Sequence, residues 1–235
     1  GMKRLCIYGD SLLKGLICDE RGIYHSSDAI GFEHMEKEYG MEIRNLAMPT
    51  FTSTQILAWM KQSFRGGVDA VMLECGGNDA DYDWGAVMKA PAGAVTEGRT
   101  KPEEFVRNLE EMISIAENAG AQVIMAYSPP FEPTLLCRNL VAKGVDPERM
   151  EAIFAAQGGI HARHDLFRSL FRRVAQDHGC ALIELGKYLP EEGAELQALM
   201  CPDGMHPNRE GYARVGQAIG EYLAQMTGKE EKGTE

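Results

Sequence analysis

Ser11 stands where the first apolar run of the chain stops, directly behind Gly9 and Asp10 in the stretch Ile7-Tyr8-Gly9-Asp10-Ser11-Leu12. A serine hydroxyl is a weak nucleophile until a neighbouring base takes its proton and donors stabilise the oxyanion that forms. A base is offered near the other end, where Cys201-Pro202-Asp203-Gly204-Met205-His206-Pro207-Asn208 sets a carboxylate three residues ahead of an imidazole. Gly204 can take unusual dihedrals and Pro207 turns His206 away from helix. A turn can then bring Asp203 to one ring nitrogen and leave the other facing outward as the base. Glu74-Cys75-Gly76-Gly77-Asn78-Asp79 follows another apolar run and ends in an amide side chain, a neutral donor suited to an oxyanion at any pH. Each stretch alone is ordinary turn chemistry. Their joint presence points to acyl transfer by an activated serine.

These blocks resemble the SGNH or GDSL hydrolases, serine esterases and lipases with a flavodoxin-like three-layer fold. Gly9-Asp10-Ser11-Leu12 matches the block with the nucleophile, Gly76-Gly77-Asn78-Asp79 the Gly-x-Asn-Asp block and Asp203-Gly204-Met205-His206 the Asp-x-x-His block, in the family's order. The resemblance implies catalytic Ser11, Asp203 and His206. It also implies an oxyanion hole built from the Ser11 N–H, the Asn78 amide and a backbone N–H from a further block. That block departs from the family: in Asn45-Leu46-Ala47-Met48-Pro49-Thr50-Phe51-Thr52, Thr50 stands where a glycine is expected. Thr50 keeps an N–H, but a β-branched residue does not readily take a positive φ. If the geometry requires one, the hole is weakened or the loop is built differently.

The elements that must position these residues alternate along the chain. Strand-length apolar runs fall at 3–9, 42–46, 70–74, 122–127 and 180–185, with helix-like patterns between them. Such alternation predicts an α/β fold, a parallel sheet covered on both faces as an α/β/α sandwich. With the flavodoxin-like strand order 2-1-3-4-5, the crevice opens beyond the carboxyl ends of strands 1 and 3, where the winding reverses. Ser11 and Asn78 follow those strands. Asp203 and His206 follow the last strand and precede the final helix.

Thr100-Lys101-Pro102-Glu103 has a capping-box pattern that opens one helix, with Phe105, Leu109, Met112, Ile113 and Ala116 on its buried face. The last helix is expected from about Asn208, burying Tyr212, Val215, Ile219 and Leu223. A single domain over 1–228 is expected, with 229–235 a polar, frayed tail.

The long connections 80–99 and 128–159 should rim the crevice, which makes Tyr82, Trp84, Phe131, Leu135 and Leu136 candidate pocket residues, and Asp10 beside Ser11 is a further candidate. The aromatic and leucine side chains serve equally as substrate walls, as a lid's own packing or as a contact between copies, which leaves a homo-oligomer open. His161 and His164, followed by Asp165, have helical spacing that metal ligands often show. Arg163, Arg168, Arg172 and Arg173 surround them and disfavour a divalent ion. No metal and no organic cofactor is expected.

Over 235 residues, 44% are hydrophobic and the formal charge is −11, which argues against a nucleic-acid partner. No apolar run is long enough to span a bilayer, and no charged segment followed by an apolar one suggests export. A cytoplasmic location is expected, and the six scattered cysteines are expected to be free thiols. The partner is then a small-molecule ester, with short-chain acyl esters and acetylated carbohydrates favoured. A thioesterase or acyltransferase would use the same residues. A binding protein that keeps the fold without catalysis is the alternative from another class.

Overall fold

In chain order the strands are β1 (Arg4–Tyr8), β2 (Ile17–Cys18), β3 (Tyr24–His25), β4 (Glu42–Asn45), β5 (Ala70–Leu73), β6 (Gln122–Tyr127) and β7 (Ala181–Glu184). The computed structural model describes residues 1–94 and 96–228. Five of these strands form one parallel sheet ordered β4-β1-β5-β6-β7, which is 2-1-3-4-5 when only its own members are counted. β2 and β3 pair antiparallel in a separate hairpin.

Side-chain alternation along the strands feeds two cores. Leu5 and Ile7 of β1, Ala70 and Met72 of β5, and Ile124 and Ala126 of β6 pack on one face. Cys6 and Tyr8, Val71 and Leu73, and Val123 and Met125 pack on the other. A strand buried on both faces has no polar positions to alternate with, hence the near-continuous apolar runs.

Helices α1 (Phe32–Tyr39) and α10 (Arg209–Thr227) cover the first face, and α2 (Ser53–Ser63), α5 (Pro102–Asn118) and α8 (Ala162–Asp177) the second. The Phe105 and Phe167 rings meet at 4.8 Å between α5 and α8. Fully burying side chains of this size stabilises by about 1.5–3 kcal/mol each. The expected α/β/α sandwich is the observed one. Among the described residues no helix is long and apolar enough to cross a membrane.

α10 begins where expected, with Asn208 Oδ1 accepting the Gly211 N–H at 3.0 Å. α5 begins one residue later than its capping box implies. Lys101 is the N-cap, with Pro102 in the first turn and no side-chain cap. Thr100 is buried and its hydroxyl serves the Asp79 carboxylate instead, so tertiary demand removes the local cap. A capping box forms at α2, where Gln55 Oε1 accepts the Thr52 N–H at 2.9 Å.

The other helices lie in the connections: α3 (Gly77–Ala80), α4 (Trp84–Lys89), α6 (Pro133–Ala142), α7 (Pro147–Ala156) and α9 (Gly193–Gln197). The two long connections are therefore largely helical. They share a small core in which Leu140, Val145 and Met150 pack with Trp84, Met88 and Phe154. The tail expected at 229–235 lies outside the described residues. All six cysteines are free thiols.

Candidate active site

Parallel register sets the site. β1 lies between β4 and β5, pairing Ile7 with Asn45 and Tyr8 with Leu73. The loops carrying Ser11, Thr50 and Asn78 therefore leave the sheet side by side. The Asp203–His206 loop, at the start of α10, closes over the same edge.

Ser11 Oγ lies 2.7 Å from His206 Nε2, and His206 Nδ1 lies 2.7 Å from Asp203 Oδ2. Because a carboxylate only accepts, Nδ1 carries the proton and Nε2 is left to accept from the serine. Asp203 is 2% exposed, and each of its oxygens has two donors. Oδ1 accepts the Met205 and His206 N–H groups at 2.9 and 3.1 Å. Oδ2 accepts from His206 and from the Tyr24 hydroxyl, the latter at 2.8 Å. Burial alone would raise this acid, but the hydrogen bond and charge of His206 and the two amides outweigh it and hold Asp203 at about 2.

The turn closes because Gly204 sits at φ 72°. A Cβ there would meet Glu132 O and Leu136 N at 2.5 Å each. The Cys201 N–H donates to His206 O at 2.7 Å and staples the loop ends.

Asn78 donates one amide hydrogen to Phe51 O at 3.0 Å, which fixes the side chain and leaves the second hydrogen free. Asp79 is fully buried and accepts from the Ser53 N–H at 3.0 Å and the Ser53 hydroxyl at 2.6 Å. The Asn-Asp pair thus divides its work, one residue facing the site and the other anchoring α2.

Thr50 has φ 68°, and among the described residues it is the only non-glycine with a positive φ. The loop keeps the backbone of the expected glycine and accepts the strain, on the order of 1–2 kcal/mol for an L-residue. Its flanks hold it there: Met48 N–H donates to Gly9 O at 2.8 Å, Asn78 grips Phe51, and Asp79 pins Ser53. Neither the Thr50 nor the Ser11 N–H has an acceptor among the described residues. Thr50 itself is exposed.

Beneath Ser11, the Asp10 N–H donates to Glu74 Oε2 at 3.3 Å, and Ser128 Oγ donates to Glu74 Oε1 at 3.2 Å. Both acids are buried. Burial raises each, and the Asp10 charge raises Glu74 further, so Glu74 holds its proton beside Asp10.

The cavity at this edge has a volume of about 600 Å³. Asp10, Trp84, Phe131 and Leu136 line it as expected. Tyr82 and Leu135 do not. Tyr82 is buried behind Trp84, ring centroids 5.4 Å apart, and faces a smaller pocket. The Leu135 N–H caps α6 on Glu132 while its Cβ turns to Gly204. A helical turn sends neighbouring residues in different directions, so Leu136 reaches the cavity and Leu135 does not.

Sequence reading missed Tyr24, Glu74, Ser128, Asn139, Lys143 and His164 in this wall. His164 was weighed only as a metal ligand. Instead burial, and then the Arg168 charge, lowers it to about 3, and its ring packs edge-on against Phe131 at 5.0 Å. Among the described residues no cluster of three or more metal-ligating side chains occurs.

The GDSL-like Lipase/Acylhydrolase family matches residues 7–214. No curated protein matches the chain. Several solved structures share the fold. The lipase/acylhydrolase from Enterococcus faecalis is 18% identical with a TM-score of 0.62, covering 97% of this chain and 96% of that one. Est24, a carbohydrate acetylesterase from Sinorhizobium meliloti, is 17% identical with a TM-score of 0.63, at 95% and 99% coverage. The psychrotrophic esterase EstA from Pseudoalteromonas sp. is 15% identical with a TM-score of 0.58, at 97% and 100% coverage. The family match spans most of the chain and includes Ser11, Asp203 and His206. The protein belongs to the GDSL-like lipase/acylhydrolase family and is a hydrolase acting on ester bonds.

Proposed function

We propose that the protein is a serine esterase that hydrolyses short-chain carboxylic esters, acetylated carbohydrates foremost, through an acyl-enzyme on Ser11. The observation that carries this reading is the continuous hydrogen-bonded line from Ser11 Oγ through His206 to Asp203, with both links at 2.7 Å. Ser11 attacks the ester carbonyl as His206 takes its proton, and the imidazolium is stabilised by Asp203. The oxyanion is received by the Ser11 and Thr50 N–H groups and the free Asn78 amide hydrogen. His206 returns the proton to the leaving alcohol. Water, deprotonated by the same histidine, then releases the acid.

The wall supports a polar, ring-shaped alcohol. Trp84 and Phe131 offer apolar faces, while Asp81 and Asn139 add polar groups beside them. The Asp81 Oδ1 atom is taken by the Tyr82 N–H and Trp84 Nε1 at 2.8 and 3.1 Å, which holds the indole in place. Est24, of like fold, is a carbohydrate acetylesterase. A thioester is the second reading, favoured by Lys143 and Arg99 at the wall, which would meet an anionic leaving group.

A fluorophosphonate probe should label wild-type protein and spare Ser11→Ala. An intact, unlabelled wild type rejects the serine mechanism. A panel of p-nitrophenyl esters of rising chain length, an acetylated sugar and an acetyl-CoA ranks the substrate classes. Preference for acetyl-CoA would replace the carbohydrate reading.

A further inference from the structure

The β2–β3 hairpin lengthens the path from β1 to α1, and it carries one side chain across the site. Asp19 builds its turn, with Oδ1 accepting the Arg21 and Ile23 N–H groups at 2.9 Å each. The Cys18 N–H donates to Cys201 Sγ at 3.4 Å and ties the hairpin to the loop that holds Asp203 and His206. Tyr24 is thereby laid over that loop. Its hydroxyl reaches Asp203 Oδ2 at 2.8 Å, although the residue is 36% exposed.

We infer that Tyr24 is a positioning residue for the esterase reaction: its hydroxyl holds the Asp203 carboxylate so that the His206 imidazole faces Ser11. This rests on the serine mechanism proposed above. Asp203 Oδ1 is occupied by two amides of its own turn, so its position is set by the backbone. Oδ2 is the oxygen that steers the imidazole, and without Tyr24 its one partner would be the ring it must steer. A second donor from a separate element removes that freedom and covers the oxygen from water. The Tyr24 ring also packs edge-on to the His206 ring, centroids 5.7 Å apart at 71°. This contact limits tilting of the imidazole on its Asp203 side.

The charged and titratable groups around Tyr24 fit a fixed donor. They are Asp203 and His206 from the loop, Cys18 from β2, and the ammonium of Lys143, the C-cap of α6, 5.6 Å from the ring centroid. Burial, and next the Asp203 charge, push the phenol well above its ordinary value. It therefore keeps its proton, and its role as donor, throughout the range in which an esterase is assayed.

The test is Tyr24→Phe, which removes one oxygen and keeps the ring. Losing a hydrogen bond to a charged group should lower kcat roughly tenfold. KM should hold, because the ring that lines the cavity is unchanged. The Asp203 charge would then fall on His206 alone, so the acid limb of the kcat/KM profile should move to higher pH. The proton NMR signal of the His206 Nδ1–H should shift for the same reason. Tyr24→Ala removes the ring contact as well and should raise KM. If Tyr24→Phe reproduces the wild-type kcat, acid limb and Nδ1–H signal, Tyr24 has no positioning role. Absent esterase turnover in folded wild type would reject the serine mechanism instead. The Nδ1–H comparison would still decide whether Tyr24 orders the Asp203–His206 pair.

Discussion

Glu74 lies directly beneath Asp10, its Oε2 accepting the Asp10 N–H at 3.3 Å, so two acids share a buried site next to Ser11. Burial raises both above their ordinary values of 3.8 and 4.5. Protons are then bound more tightly in the folded chain than in the unfolded one. This contribution to stability is complete below the unfolded values and is lost as pH rises through the folded ones. Urea midpoints measured from about pH 5 to about pH 9 should fall for the wild type and flatten for Glu74→Gln, which cannot ionise. Parallel curves would remove the pair as the cause.

Thr50 stores strain that a glycine would release. Thr50→Gly should leave activity near wild type, because the N–H stays in place. It should raise stability by up to about 1 kcal/mol, the relief exceeding the extra entropy of a glycine in the unfolded chain. Thr50→Pro removes the N–H and fixes φ near −65°, and should lower kcat by about a hundredfold or more. Initial rates with p-nitrophenyl acetate and urea titrations separate the two effects.

Asn78 and its neighbour should fail differently. Asn78→Ala withdraws the amide proposed as an oxyanion donor, and kcat should drop by about 10²–10³-fold with KM little changed. Asp79→Ala leaves the Ser53 N–H and hydroxyl without their acceptor, and should destabilise by about 1–3 kcal/mol. A melting curve beside each rate measurement decides between them, and a large stability loss in Asn78→Ala would contradict the division of labour.

Gly204→Ala places a methyl 2.5 Å from two backbone atoms in a residue at φ 72°. The loop must shift, and it carries both Asp203 and His206. Stability should fall by about 1–3 kcal/mol, with a larger loss of kcat than Thr50→Gly produces. Unchanged melting and turnover would mean that the loop is slacker than its contacts indicate.

The sequence by itself determined the sheet and the three blocks that meet at its edge. Apolar runs buried on both faces are legible because burial excludes polar residues along the whole strand. Ser11, Asn78 and the Asp203–His206 pair are legible because three short stretches, each ordinary turn chemistry alone, occur together in an order that fits acyl transfer. What only the tertiary structure decided are relationships between distant segments. Tyr24 meets Asp203 across 179 positions with no local pattern to announce it. Asp79 takes the hydroxyl that the Thr100 capping pattern would have used at α5, so a buried carboxyl outranked a local cap. Tyr82 and Leu135 looked like cavity walls by residue type, yet helices within the connections turned them elsewhere. Thr50 shows the limit most directly. Its intrinsic preference argues against a positive φ, and hydrogen bonds from Gly9 and from α3 to its flanks impose one.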